Sequence, residues 1–301
     1  RHVQALAGES LDCLLAVGGG KCVDAGKCIA WRLGIPVVVI PTLASNDAPT
    51  SALSVLHTPE GVSQGAEFFP DNPAMVIVDT RVIANAMPRQ LVAGIGDAMA
   101  TWFEARVCLN NEAARTTVGA RPTLASAAIG EICARTLFAD GEAAIAAVAS
   151  NEVDDALERV VEANTLLSGL GFESGGLALA HALANSYTVL HHVHDQYLHG
   201  EMVAMGTLAQ LVLEDMDEAR RVAEFFARIG LPVHLAQLSI SEEETEGLRS
   251  VADTAAASPI AHNMPMKIDV DVVLEAMLSA DRLGQEVATR IGNDAWRSYH
   301  P

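Results

Sequence analysis

Asp12-Cys13-Leu14-Leu15-Ala16-Val17-Gly18-Gly19-Gly20-Lys21 decides the fold class. The apolar run Cys13 to Val17, ending in three glycines, reads as a buried strand that turns sharply into a helix, and Lys21 to Leu33 has the spacing of that helix. Gly34-Ile35-Pro36 then turns into Val37-Val38-Val39-Ile40, a β-branched run closed by Pro41. Met75 to Val78 is a third strand candidate, ended by Asp79-Thr80. Strand, glycine turn, helix, strand is a βαβ unit, so a parallel sheet is expected. Strands apolar on both faces imply that both faces of that sheet are covered.

After Met87 the character changes. Long Ala-, Leu- and Glu-rich segments with helical spacing run to the end: Gln90 to Leu109, Thr123 to Phe138, Gly176 to Leu190 and Gly200 to Asp215. Ser241-Glu242-Glu243-Glu244 reads as a further helix start, with a serine cap and acids in its first turn. Pro88 marks the change, so the division expected is an α/β part over 1–87 and an all-helical part over 88–301. At 301 residues the chain exceeds what one core usually fills, which agrees with two parts.

Composition excludes several functions. Aromatic residues make up 4% of the chain, too few for a platform that stacks nucleic-acid bases. A net charge of −19 repels phosphate backbones and anionic lipid, which argues against nucleic-acid and membrane partners. No apolar stretch is long and pure enough to span a bilayer. Five cysteines, odd in number and without C-x-x-C spacing, read as free thiols of a reduced compartment, the cytoplasm. The chain opens without an initiator Met and reaches its first strand by Asp12, so a missing preceding segment is expected.

Two loops follow strand ends, where open α/β sheets bind ligands. Gly18-Gly19-Gly20-Lys21 can bring backbone N–H groups and a helix N-terminus to a phosphate, although the triplet matches neither common phosphate-binding pattern and serves equally as a tight turn. Pro41 to Leu53 is dense in hydroxyls (Thr42, Ser45, Thr50, Ser51) and carries Asp47. Such a loop can bind ribose or a polyol, or simply cap and turn.

Three residues further on form a candidate metal set. Asp97 lies inside an apolar helical stretch, where a carboxylate is costly unless paired or bound to a cation. His181 lies on a small-residue helix and His199 just before another. One oxygen and two nitrogens from three helices leave room at zinc or ferrous iron for water or substrate. Each residue alone reads more readily as structure than as a ligand. His191, His192 and His194 also cluster, but in an expected polar loop, and rank below them.

Taken together, Gly18-Gly19-Gly20-Lys21 with Asp24, Pro41-Thr42-x-Ala44-Ser45-x-Asp47-Ala48-Pro49, Gly94-x-Gly96-Asp97-Ala98, Gly171-Phe172-Glu173-Ser174-Gly175-Gly176 through His181, and His199-Gly200-Glu201 resemble the glycerol dehydrogenase group of the iron-containing alcohol dehydrogenases. The resemblance runs from about Asp12 to the C-terminus. It implies a Rossmann-like, dehydroquinate synthase-like NAD domain followed by an all-α metal-binding domain. It implies cofactor contacts at Gly19, Gly20, Lys21, Asp24, Thr42, Ser45, Ser51, Leu53 and His57. It also implies a polyol hydroxyl on Asp47 and His181, and a metal, Zn2+ with Fe2+ as the alternative, on Asp97, His181 and His199. A homo-oligomer, an octamer by resemblance, is expected. Family members often carry Tyr where this chain has His57, a smaller ring that titrates near neutrality. The acidic residue that binds the adenosine ribose lies upstream in the family, so NAD rather than NADP follows from resemblance. The activity implied is oxidation of glycerol to dihydroxyacetone. The alternatives are a dehydrogenase for another diol or polyol, a sugar-phosphate cyclase, which would need more basic residues than this helical part has, and a non-catalytic metal- or nucleotide-binding relative.

Overall fold

The computed structural model describes residues 2–6, 8–57, 63–241 and 243–300, with the side chains of His2, His57, Ser63 and Gln64 outside the description. A short helix α1 (His2–Leu6) precedes β1 (Leu14–Gly18), α2 (Gly20–Leu33) and β2 (Val37–Pro41). A hairpin of β3 (Leu53–His57) and β4 (Ser63–Phe68) follows, then β5 (Met75–Val76) and α3 (Thr80–Ala84). The rest is helical: α4 (Pro88–Asn110), α5 (Leu124–Ala149), α6 (Asp155–Glu162), a π-helical turn (Ala163–Leu167), α7 (Ser168–Gly175), α8 (Leu179–Tyr187), α9 (His191–Gln196), α10 (His199–Glu214), α11 (Met216–Ile229), α12 (Thr245–Ala257), α13 (Val270–Ile291) and α14 (Asp294–Tyr299).

β1, β2 and β5 form a parallel sheet in that order, with Ala16 opposite Val39 and Val38 opposite Met75. The expected βαβ unit is therefore present. α2 packs closely on β1 at Gly26, where a Cβ would lie 2.5 Å from that of Ala16. The other face differs from expectation. Leu15 is 59% exposed, Val17 54% and Met75 56%, so among the described residues only the α2 side of the sheet is covered. β5 stops two residues short of the expected run; the Ile77 amide still donates to the Val39 carbonyl, and the Asp79 carboxylate then caps α3 by accepting from the Arg81 amide.

The antiparallel β3–β4 hairpin is absent from the elements expected of the sequence. α5 runs to Ala149 rather than Phe138, since the alanines continue and Gly141 fits against Phe225. α8 is shorter than Gly176–Leu190, because Gly176 adopts φ +93 and Leu177-Ala178 leave the helix. α12 starts at Thr245, not at Ser241, whose hydroxyl only holds the Glu243 amide in a turn; Glu242 lies outside the described residues. All five cysteines are free. The main core joins α4, α5, α8, α10, α11 and α13 through residues such as Phe103, Leu137, Leu183, Leu208, Phe225 and Met277. No described helix is long and apolar enough to cross a membrane.

Candidate metal centre and cofactor cleft

Asp97 sits in the middle of α4, His181 near the start of α8 and His199 at the first residue of α10. Glycines let these helices approach. A Cβ on Gly200 would lie 1.7 Å from the Ala93 carbonyl oxygen, and one on Gly96 would lie 2.4 Å from that of Gly200. The α10 N-terminus therefore rests directly on the α4 backbone, one turn from Asp97. Asp97 Oδ1 then lies 3.4 Å from His181 Nε2 and 3.5 Å from His199 Nε2. Donors about 2.0–2.1 Å from a tetrahedral zinc are about 3.3–3.4 Å apart, so the spacing fits one ion. Asp97 Oδ1 is buried and has no hydrogen-bond partner, which fits an atom that serves as a ligand. Among the described residues, these three are the His, Cys, Asp or Glu groups that converge in this way.

The electrostatics follow from burial and close charges. Burial alone would push His181 down, but Glu104, 2.5 Å from Nδ1, and Asp97 outweigh it and hold the imidazole well above its ordinary value. Burial pushes Asp97 up, and His199, His181 and the Asp47 amide outweigh that, leaving it below the usual carboxylate range. Asp47 goes the other way. Burial and then repulsion from Asp97 push it up to about 8.

Asp47 is carried by the loop between β2 and β3, and that loop is docked on the helical body. Its amide donates to Asp97 Oδ2 at 3.2 Å, and Ser168 Oγ donates to its carboxylate at 3.1 Å. Ser168 Oγ also lies 2.8 Å from Thr101 Oγ1, in a buried pair. The π-helical turn supplies the remaining contacts. Asn164 Nδ2 donates to the Ala44 carbonyl at 3.0 Å, and Thr50 Oγ1 donates to the Thr165 carbonyl at 3.0 Å. A π-turn puts one extra residue into the helix and is common at functional sites; here it faces Asn164 and Thr165 to the loop. Glu173 accepts the Ala52 amide at 2.9 Å and Asn72 at 2.8 Å, closing the loop's far end. Asp47, His181 and His199 open into a cavity of about 390 Å³, walled also by Leu53 and Phe68 of the hairpin and by Phe172.

The residues expected at the cofactor fall into two groups. Gly19, Gly20 and Lys21 form the start of α2, and Thr42 and Ser45 lie on the facing loop; a Cβ on Gly20 would sit 2.2 Å from Asn46 Nδ2, so the Asn46 side chain packs directly on this turn. Leu53 reaches the cavity. Asp24 and Ser51 are engaged inside the protein. Lys27 Nζ, 2% exposed, pairs with Asp24 at 3.0 Å and donates to Ser51 Oγ, the Ala48 carbonyl and the Leu53 carbonyl. Asp24 also accepts the Val55 amide. The side chain of His57 lies outside the described residues. His191, His192 and His194 lie on helix α9 rather than in a loop, and His192 faces Glu244 at 3.9 Å.

Reading the sequence missed Glu104, Lys27, Asn164 and Ser168, which contact His181, the Asp47 loop or Asp47 itself. Glu104 lies seven residues after Asp97, on the same face of the helix, and that spacing was a usable signal. The other three act through contacts between segments far apart in sequence.

A parallel strand–glycine turn–helix unit joined to a helical body that carries a carboxylate and two imidazoles has the parts a metal-dependent dehydrogenase requires. Residues 1–87 match the family model described as iron-containing alcohol dehydrogenase. A glycerol dehydrogenase of Escherichia coli O6:H1 is 49% identical over 92% of this chain and 76% of its own length. The solved structure of a probable glycerol dehydrogenase from Sinorhizobium meliloti 1021 is 40% identical, covers 95% of this chain and 81% of its own, and superposes with a TM-score of 0.90. That of the glycerol dehydrogenase from Schizosaccharomyces pombe is 38% identical, covers 96% and 74%, and has the same TM-score of 0.90. The chain belongs to the iron-containing alcohol dehydrogenase family, in the group that holds the glycerol dehydrogenases.

Proposed function

We propose that this chain oxidises glycerol to dihydroxyacetone and passes the hydride to NAD+, at a zinc or ferrous site formed by Asp97, His181 and His199. The observation that carries the reading is the buried Asp97 Oδ1, without a hydrogen-bond partner and within 3.5 Å of two imidazole nitrogens. When bound, the cation supplies the Lewis acidity that lets an alcohol proton leave near neutral pH, and NAD supplies the hydride acceptor. Asp47, fixed by Ser168, orients a polyol hydroxyl in the same cavity. Gly19, Gly20 and Lys21 hold the cofactor pyrophosphate at the α2 N-terminus, with Thr42, Ser45 and Leu53 beside it. Asp24 and Ser51 serve the cofactor indirectly, by holding Lys27 and with it the loop.

The reading also divides the chain into a NAD-binding α/β domain over 1–87 and a helical catalytic domain over 88–301, and expects a cytoplasmic homo-oligomer, an octamer. The test is NADH absorbance after adding glycerol, NAD+ and zinc, with metal content measured in parallel. Asp97→Asn and His181→Ala are expected to lose metal and turnover together. Retention of both would overturn the assignment, and turnover on another diol with none on glycerol would move the substrate.

A further inference from the structure

Glu104 is a carboxylate with zero exposure on α4. Such a group is costly to bury unless both oxygens are satisfied. They are, and all their partners belong to one short segment. Oε1 accepts the amides of Ala178 at 2.7 Å and His181 at 3.0 Å, the unpaired donors at the start of α8. Oε2 faces His181 Nδ1 at 2.5 Å. Asp97 and Glu104 thus stand on the same face of α4 at opposite edges of one imidazole: Glu104 holds Nδ1, and Asp97 Oδ1 faces Nε2 at 3.4 Å without a hydrogen bond.

We infer that Glu104 is a positioning residue for the metal centre, fixing both the tautomer and the placement of His181. The inference rests on the reading of His181 as a ligand. Oε1 already accepts two amides; with Oε2 accepting from Nδ1–H, the other ring nitrogen, Nε2, is the one turned to Asp97 and offered to a cation. The same carboxylate ties down the backbone that carries the ring, so orientation and tautomer are set together. Carboxylates in this outer position are general at histidine-ligated metals, and their loss costs about 10–100-fold in metal affinity.

Glu104→Gln is the informative change because it keeps the shape. Its NH2 must take one of two places. Facing Nδ1, it forces the ring proton onto Nε2 and removes the ligand. Facing the helix start, it meets two N–H donors with a third. Gln210 is the control: it accepts the Ala180 amide at 3.1 Å at the same helix start and does not touch the imidazole.

Zinc affinity is measured by competition with a chelating dye, and the cobalt-substituted protein by its visible absorption. Glu104→Gln is expected to bind zinc about 10–100-fold more weakly, with altered cobalt bands, while Gln210→Ala keeps both. Wild-type zinc affinity and an unchanged cobalt spectrum in Glu104→Gln would overturn the inference, as would equal losses in both variants. His181→Ala run alongside separates the two claims. If it keeps zinc, the ligand reading itself fails; if it loses zinc while Glu104→Gln does not, only the role of Glu104 fails. A measurement on the wild type needs no variant to fold. With 15N-labelled histidine, the zinc-bound protein is expected to show His181 protonated at Nδ1, and protonation at Nε2 overturns the inference.

Discussion

Gly200→Ala tests how the metal ligands are brought together. The new Cβ would lie 1.7 Å from the Ala93 carbonyl oxygen, 2.6 Å from its carbonyl carbon and 3.2 Å from its Cα. All three are backbone atoms of a buried helix, so no side chain can turn aside. Ordinary contact begins near 3.4 Å, so the α10 N-terminus must retreat from α4 by roughly 1.7 Å. His199 is the adjacent residue and moves with it. Its Nε2 now lies 3.5 Å from Asp97 Oδ1; adding that displacement carries the pair to about 5 Å. Bonds of about 2.0–2.2 Å span at most about 4.4 Å between two donors, so one ion can no longer hold both. The expected result is a loss of zinc affinity beyond the about 10–100-fold seen for outer partners. Overpacking itself costs about 1–3 kcal/mol, which thermal unfolding of the metal-free protein reads separately. Gly141→Ala is the matched control: its Cβ would lie 3.0 Å from the Phe225 ring and 3.6 Å from Ile95 Cδ1, side chains and not backbone, so it should cost stability and leave zinc binding intact. Wild-type zinc affinity in folded Gly200→Ala would refute the claim that this contact sets the ligand spacing.

Gly94→Ala perturbs a different part of the site. Its Cβ would lie 1.9 Å from the Ala44 carbonyl oxygen and 2.5 Å from Asn164 Nδ2, so the Asp47 loop must lift while α10 stays; zinc should remain bound and kcat fall by about 100-fold, the cost of a misplacement near 1 Å. Asp47 gives the metal-free protein a pH dependence. Its folded value of about 8 exceeds its ordinary 3.8, so the folded state holds a proton that the unfolded chain releases, and its stabilising contribution is lost as pH rises through that window. His181, also raised, acts with the same sign at the upper end. Urea midpoints of the metal-free protein are expected to fall from pH 5 to pH 8, and less steeply in Asp47→Asn; parallel slopes would contradict the assignment. Lys27→Met leaves Asp24 without its buried partner and frees the carbonyls of Ala48 and Leu53, so a loss of about 3–5 kcal/mol in unfolding and a raised KM for NAD are expected.

The sequence could reveal only features that local chemistry dictates. β1, the glycine turn and α2 were legible because a β-branched or apolar run, a glycine triplet and helical spacing each act within a few residues. Asp97, His181 and His199 were legible as a set only through their order and surrounding glycines, since polar residues in apolar helices are individually ambiguous. In the fold those glycines are points of close approach. Gly94 admits Ala44, Gly96 and Gly200 admit each other's helices, and Gly169 admits Thr50. What stayed hidden depends on docking between segments distant in sequence. The π-turn carries no strong local signature, yet it is what turns Asn164 and Thr165 toward the loop. Glu104 lies between these cases. Its seven-residue spacing from Asp97 was in plain view, but a second buried carboxylate on that face has meaning only once α8 brings an imidazole between the two. The α4 helix thus encodes a pair of clamps whose object comes from elsewhere in the chain, and α8 can supply that object only because its own first amides end on the same Glu104.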